Sequence, residues 1–196
     1  MIVLAEQHHQ EGLDEMVAPN IQSTEDYLTK LGTGDINSTA KGSGARFNAG
    51  KSPMELVPLR LLAENLKPAL GAESENAAAA LLNIGFWQER RSVRALESAV
   101  RLLGSNVWHD CANVFDYGQR KYKAWNWAKG MPWSVPMACA ARHLVAMIQG
   151  EINDPESGLP HSGHVACNIV MLLTYADTYP EGDDRPPAGA LGKIRE

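Results

Sequence analysis

Residues 135–180 read VPMACAARHLVAMIQGEINDPESGLPHSGHVACNIVMLLTYADTYP. Apolar residues recur at helical spacing on both sides of the acidic turn GEINDPESGLP, and Pro180 closes the run. This pattern predicts one helix from about Val135 to Ile152, with Pro136 tolerated in its first turn, and a second from about Ser162 to Tyr179. A turn this short makes the two helices antiparallel neighbours.

Upstream, a third helix is expected from about Val107 to Tyr122, preceded by helices over 73–88 and Arg90–Leu103, the latter stopped by Gly104. Ser52, with Pro53 in the first helical position and Glu55 three residues after the cap, predicts a helix start there; Pro58 and Pro68 divide this segment into short pieces. No run alternates with a period of two. The fold class is therefore all-α: a helical bundle in which the three C-terminal helices form the core of the site. We expect a single domain over 1–196, with a weakly ordered arm over 1–22, a short helix over 23–31, a glycine-rich loop over 32–51, extra helices over 61–106 and a flexible tail over 181–196.

The chain has 196 residues, 44% hydrophobic and 21% charged, which suits a globular chain with one core. Its net charge of −5 argues against a face that tracks nucleic acid, whereas a single nucleotide needs only a few cations. MIVLAEQHHQEG is too short an apolar run for a secretory leader, and no run reaches membrane-spanning length. A cytoplasmic setting, without membrane or nucleic-acid partners, is the expectation. Cys111, Cys139 and Cys167 lie 28 residues apart, without a C-x-x-C pair. They read as reduced thiols, each buried by one of three successive helices, binding no metal.

Three groups of residues carry chemistry. On helical spacing His143, Met147 and Glu151 share one stripe, and His164, Asn168 and Tyr175 another, with Asp154, Glu156 and His161 between the two helices. Carboxylates of this kind suit Mg²⁺ or Mn²⁺; imidazoles beside them suit Mn²⁺, Zn²⁺ or iron. The plainer alternative is hydrogen-bonded core histidines and a solvated acidic turn. The stretch 117–133, YGQRKYKAWNWAKGMPW, interleaves Arg120, Lys121, Lys123 and Lys129 with Tyr117, Tyr122, Trp125, Trp127 and Trp133. Cations meet phosphates and flat rings stack on a base, or else the tryptophans only plug the core. In the loop, Arg46, Asn48 and Lys51 are placed to close over an anion, and the loop is expected to be mobile until they do. ARFNAGKS (45–52) fits a relaxed phosphate-loop pattern, but no strand precedes it. His109-Asp110 invites an HD-type metal site, for which His8 or His9 and Asp154 are the available partners.

These segments, GARFNAGKSPMELVP (44–58), YGQRKYKAWNWAKGMPW and RHLVAMIQGEINDPESGLPHSGHVACN (142–168), resemble the phage-encoded dATP/dGTP diphosphohydrolase N-terminal family, related to MazG-like all-α pyrophosphohydrolases. The resemblance implies metal-dependent hydrolysis of purine deoxynucleoside triphosphates. It implies Glu151 and Asp154 as metal ligands, with His164 and Asn168 facing them. It also implies Lys121, Asn126 and Lys129 at the phosphates. Catalysis falls to Glu151, Asp154 and His164, which also form the expected set for Mg²⁺ or Mn²⁺. Binding falls to Arg46, Asn48, Lys51, Tyr117, Lys121, Asn126, Trp127, Lys129, His143 and Asn168. Where MazG-like enzymes set E-x-x-E against E-x-x-D, this chain offers His161, His164 and Asn168. The extra helices are expected either to remodel the pocket or to build a homo-oligomer interface. The alternative function is a binder without turnover that sequesters a nucleotide or nucleotide-derived signal; a third reading is a structural or regulatory protein that keeps the fold only.

Overall fold

A computed structural model describes residues 32–48 and 50–191. The expected arm over 1–22 and short helix over 23–31 lie outside the described residues. Among the described residues six α-helices succeed one another: α1 (Leu59–Asn65), α2 (Ala72–Arg90), α3 (Val93–Leu102), α4 (Val107–Tyr122), α5 (Ser134–Ile148) and α6 (His161–Thr178). The only sheet among the described residues is an antiparallel ribbon of two residues per strand, β1 (Gly32–Thr33) and β2 (Arg46–Phe47). The all-α expectation holds.

Helix α6 is the centre of the bundle. Val165, Ala166, Ile169 and Leu172 are fully buried, and α4 and α5 pack on it, with α2 behind α5. The close approach of α4 depends on Gly163: a Cβ there would come within 2.8 Å of the Asp110 backbone. Gly85 does the same for α2, where a Cβ would meet the Arg60 backbone nitrogen at 2.4 Å. Within 61–106, the expected extra helices, Leu81, Ile84 and Leu96 are buried in this core, as is Leu59 just before them.

Three boundaries differ from expectation. No α-helix starts at Ser52: a 3-10 turn at Met54–Leu56 precedes Pro58, and α1 begins only after that proline. Helix α5 ends at Ile148, short of Ile152, because Gly150 takes φ 92° and the Gly150 and Glu151 amides fold back onto Met147 and Ala146. The start of the tail is anchored: Arg185 is buried, donating to the Trp87 carbonyl at 2.9 Å and to both Asp183 oxygens at 2.8 Å.

Candidate functional site

Helices α4, α5 and α6 and the segment 45–51 enclose a cavity of about 690 Å³. Its lining combines two chemistries. Val114, Phe115, Trp125, Trp127, Met131 and Met171 are apolar; Arg46, Lys51, Lys121, His143, Asp154, Glu156 and His164 are polar. Phe115 and Trp127 lie 5.2 Å apart between ring centroids, and Trp125 and Trp127 6.1 Å apart. Trp125 stands exposed at the rim. It and Lys123 adopt φ 59° and 72°, conformations that side chains other than glycine rarely take. The backbone after α4 is held in this way to aim the tryptophans across the cavity.

The glycine-rich loop is docked rather than free. Gly42 and Gly44 amides donate to the Lys129 and Gly130 carbonyls at 2.6 and 2.7 Å, and the Phe47 amide donates to the Tyr122 hydroxyl at 3.1 Å. Asn126 is buried and clamps Ala45 in both directions, at 3.2 and 2.9 Å. Lys129 donates to the Asp35 and Ser38 carbonyls. Both residues, expected at phosphates, are therefore spent on the loop, and Lys129 does not line the cavity. Nor does Asn48, whose Oδ1 is buried without a partner. The phosphate-loop reading fails too, since β2 is a two-residue strand followed by a 3-10 turn.

This docking places Arg46 inside. Its guanidinium donates to Cys139 Sγ at 2.8 Å and lies 4.0 Å from Met171 Sδ; among the described residues no carboxylate pairs with it. The three cysteines are free and buried, one each from α4, α5 and α6. Burial pushes the Cys139 thiol up, but Arg46, His143 and Arg142 outweigh this and draw it well below the ordinary thiol value. At the mouth, Glu156 bridges Lys121 at 2.6 Å and Lys51 at 2.9 Å, with the Tyr117 hydroxyl 3.5 Å away. The two lysines hold the Glu156 carboxyl at about 2. An acid so strongly ionised is a poor proton acceptor.

Beside it lies a histidine cluster. His143 and His164 stack at 4.4 Å, and Nδ1 of His143 faces Nδ1 of His161 at 2.9 Å. Ser157 Oγ donates to Asp154 Oδ2 at 2.8 Å and stands 2.8 Å from His164 Nε2, linking carboxylate to imidazole. Burial, then the neighbouring His143, lowers His164 to about 4, and the same two causes lower His161, so both rings are neutral near pH 7. Burial raises Asp154, but the Ser157 hydrogen bonds win and its value falls. His143, Asp154 and His161 can each offer one ligand atom, all within 4.8 Å of one another, so this cluster could hold a metal ion.

Of the expected ligands only Asp154 belongs to that group. His164 sits beside it, 3.8 Å from Asp154 through Nε2. Glu151 is exposed and outside the cavity, 3.6 Å from His161 Nε2. The early end of α5 carries it off the His143 stripe. Asn168 is fully buried, donates to the His164 carbonyl at 2.7 Å and does not line the cavity. The single pocket expected to collect Glu151, Asp154, His164 and Asn168 is thus not formed by all four. The HD pair does not assemble either: His109 is exposed and Asp110 packs against Gly163, while His8 and His9 lie outside the described residues. The Arg46–Cys139 contact carried no sequence signal, because it depends on where the loop docks against α5; Ser157, three residues after Asp154 in the same turn, lay within reach of local reading and was missed.

Residues 89–185 match the model of the family described as dATP/dGTP diphosphohydrolase, N-terminal. The resemblance read from the sequence therefore holds over the segment that contains α4, α5 and α6, and the match takes in 89–106 as well. The chain is 25% identical over 100 residues to a dATP/dGTP diphosphohydrolase of Salmonella phage PMBT28, covering 51% of this chain and 34% of that protein. The alignment thus spans about a third of that relative's length. No solved structure matches. No helix among the described residues is long and apolar enough to cross a membrane.

Proposed function

We propose, on the premise that residues 89–185 belong to the dATP/dGTP diphosphohydrolase N-terminal family, that the cavity binds a purine deoxynucleoside triphosphate and that the protein hydrolyses it with a divalent metal, Mg²⁺ or Mn²⁺. The carrying observation is Arg46: a cation lining the cavity whose side-chain partners are sulfurs. A guanidinium in that setting gains most from an anion with paired oxygens, as a phosphate presents. Lys51 and Lys121 add charge at the mouth, where one carboxylate now serves both. Trp125, Trp127 and Phe115 offer flat faces for a base.

In this reading Asp154, His143 and His161 hold the ion, and Arg46, Lys51 and Lys121 orient the phosphates and take up charge as it develops on their oxygens. A divalent ion held there would supply Lewis-acid polarisation of a phosphoryl oxygen. His164, neutral and joined to Asp154 through Ser157, positions that carboxylate. The name of the phage relative supports the substrate class.

A second reading, a binder without turnover, is favoured by a separate observation: of the acidic residues lining the cavity, Asp116 pairs with Arg120 and Glu156 is held by two lysines, which leaves Asp154. A panel of purine and pyrimidine nucleotides, measured for turnover and for binding with and without divalent ion, separates the two. The enzyme reading expects dATP or dGTP to be consumed, and Asp154→Asn to stop turnover while leaving measurable binding. Binding without turnover in the wild type selects the second reading, and neither binding nor turnover overturns both.

A further inference from the structure

The donor atoms in the histidine cluster bear on which ion binds there. Nδ1 of His143 and Nδ1 of His161 face each other at 2.9 Å, from α5 and from the first residue of α6. Without an ion one nitrogen donates its proton to the other. Two nitrogens bound to one metal at about 2.0–2.1 Å stand about 2.9 Å apart at a right angle and about 3.3 Å apart in a tetrahedron. The pair is therefore already spaced as a chelate. The Asp154 carboxylate, fixed by the Ser157 amide and hydroxyl, supplies a third donor in range.

A second observation points the same way. His161 is 3% exposed, and its Nε2 is buried with no hydrogen-bond partner. The nearest acid is Glu151, 3.6 Å away. When Nδ1 binds a metal, the ring proton resides on Nε2, and a small movement of the exposed Glu151 side chain lets it accept that N–H. Metal-bound histidines are commonly held in this way, by a carboxylate on the far nitrogen.

We propose that His143 Nδ1, His161 Nδ1 and an Asp154 carboxylate oxygen chelate a transition-metal dication of the Mn²⁺ to Zn²⁺ series in preference to Mg²⁺, with Glu151 orienting His161 rather than binding the ion. Two imidazoles and one carboxylate are too few hard oxygens for Mg²⁺, which keeps its waters and binds mainly through carboxylates and substrate phosphates. The same set suits Mn²⁺, Fe²⁺, Co²⁺ and Zn²⁺ and leaves positions open for a ligand. This inference rests on the divalent-ion part of the proposed function and refines it; it does not depend on which nucleotide binds.

The test is Co²⁺ titration of the chelator-treated full chain without nucleotide, read by the visible absorption of protein-bound Co²⁺, with Mn²⁺ binding followed by electron paramagnetic resonance. One equivalent should bind saturably, and about a hundredfold excess of Mg²⁺ should not displace it. His143→Ala and His161→Ala should each remove the Co²⁺ signal, and circular dichroism melts in chelator report whether they remain folded. If either fails to fold, Asp154→Asn, on the surface turn, replaces it with the same expectation. Glu151→Gln should weaken binding about tenfold without altering the absorption bands. The inference is overturned if the wild type shows no saturable Co²⁺ signal, if Mg²⁺ competes on equal terms, or if folded His143 and His161 variants bind as the wild type does. An unchanged affinity in Glu151→Gln overturns the role of Glu151. A Co²⁺ site with no nucleotide binding would refute the proposed function and leave this inference standing.

Discussion

Two arginines sit against apolar surface in this protein, and their partners differ completely. Arg185 lies against both Trp87 and Trp133, 4.1 and 4.9 Å from the ring centroids, with Asp183 on its fork and the Trp87 carbonyl on its remaining nitrogen. Arg46 lies among Cys139, Met171 and Tyr122, facing a cavity, with sulfur as its acceptor. The first cation has its charge and hydrogen bonds met within the fold. The second is half-buried on the cavity wall and, among the described residues, has no carboxylate partner, which is the condition of a group able to take an anion. A charge set against apolar surface is read as structural or functional by what completes it.

The contrast can be broken by exchanging the effects of mutation. Arg185→Ala leaves Asp183, among the described residues, with Arg91 as its remaining ion-pair partner and uncovers the two stacked tryptophans. It should cost about 3 kcal/mol or more of stability in chemical denaturation, with nucleotide affinity of the folded fraction retained. Arg46→Met should do the reverse: stability within about 1 kcal/mol of wild type, and triphosphate affinity reduced about tenfold to a hundredfold by calorimetry. Equal destabilisation by both changes, with affinity intact in Arg46→Met, would erase the distinction.

A smaller effect sharpens it. Glu156 is the carboxylate that Lys51 and Lys121 now share, so Glu156→Gln should free both for phosphate and raise triphosphate affinity several-fold. Stability should shift by less than about 1 kcal/mol, since the pairs are partly exposed. A fall in affinity would mean that Glu156 touches the ligand favourably. The smallest effect is one of pH. The Arg185 hydrogen bonds lower Asp183 below its ordinary value, so its contribution to stability is complete above the unfolded value of about 3.9 and is lost as pH falls through the lower folded one. Unfolding measured below about pH 4 should show this loss in the wild type and a flatter profile in Asp183→Asn.

Much of the local structure was legible in the residues. Helix α4 runs over Val107–Tyr122 as its pattern predicts, and α6 differs by one residue at each end. The turn 152–160 makes α5 and α6 antiparallel neighbours, and its backbone pairing, with Asn153 opposite Pro160, brings Asp154 to the histidines. Glu151 was misplaced because a helical stripe assumes that the helix continues, and Gly150 ends it. Asn168 was misplaced for another reason: a stripe specifies a direction around the helix axis, and one turn beyond His164 that direction leads into the core.

The sequence by itself determined the all-α class, the short acidic turn and which residue types meet near α5 and α6, because helical periodicity and caps act within a few residues of chain. Only the tertiary structure decided which polar groups are already satisfied. Asn126 and Lys129 are taken up by a loop 81 and 91 residues away in the chain, at 2.9 Å from Asn126 to the Ala45 carbonyl and 2.9 Å from Lys129 to the Ser38 carbonyl. Arg46, delivered by that same loop, is left facing the cavity. Whether a polar side chain is available to a ligand depends on the competing partners that long-range packing brings to it, and those are not encoded in its own neighbourhood of the chain.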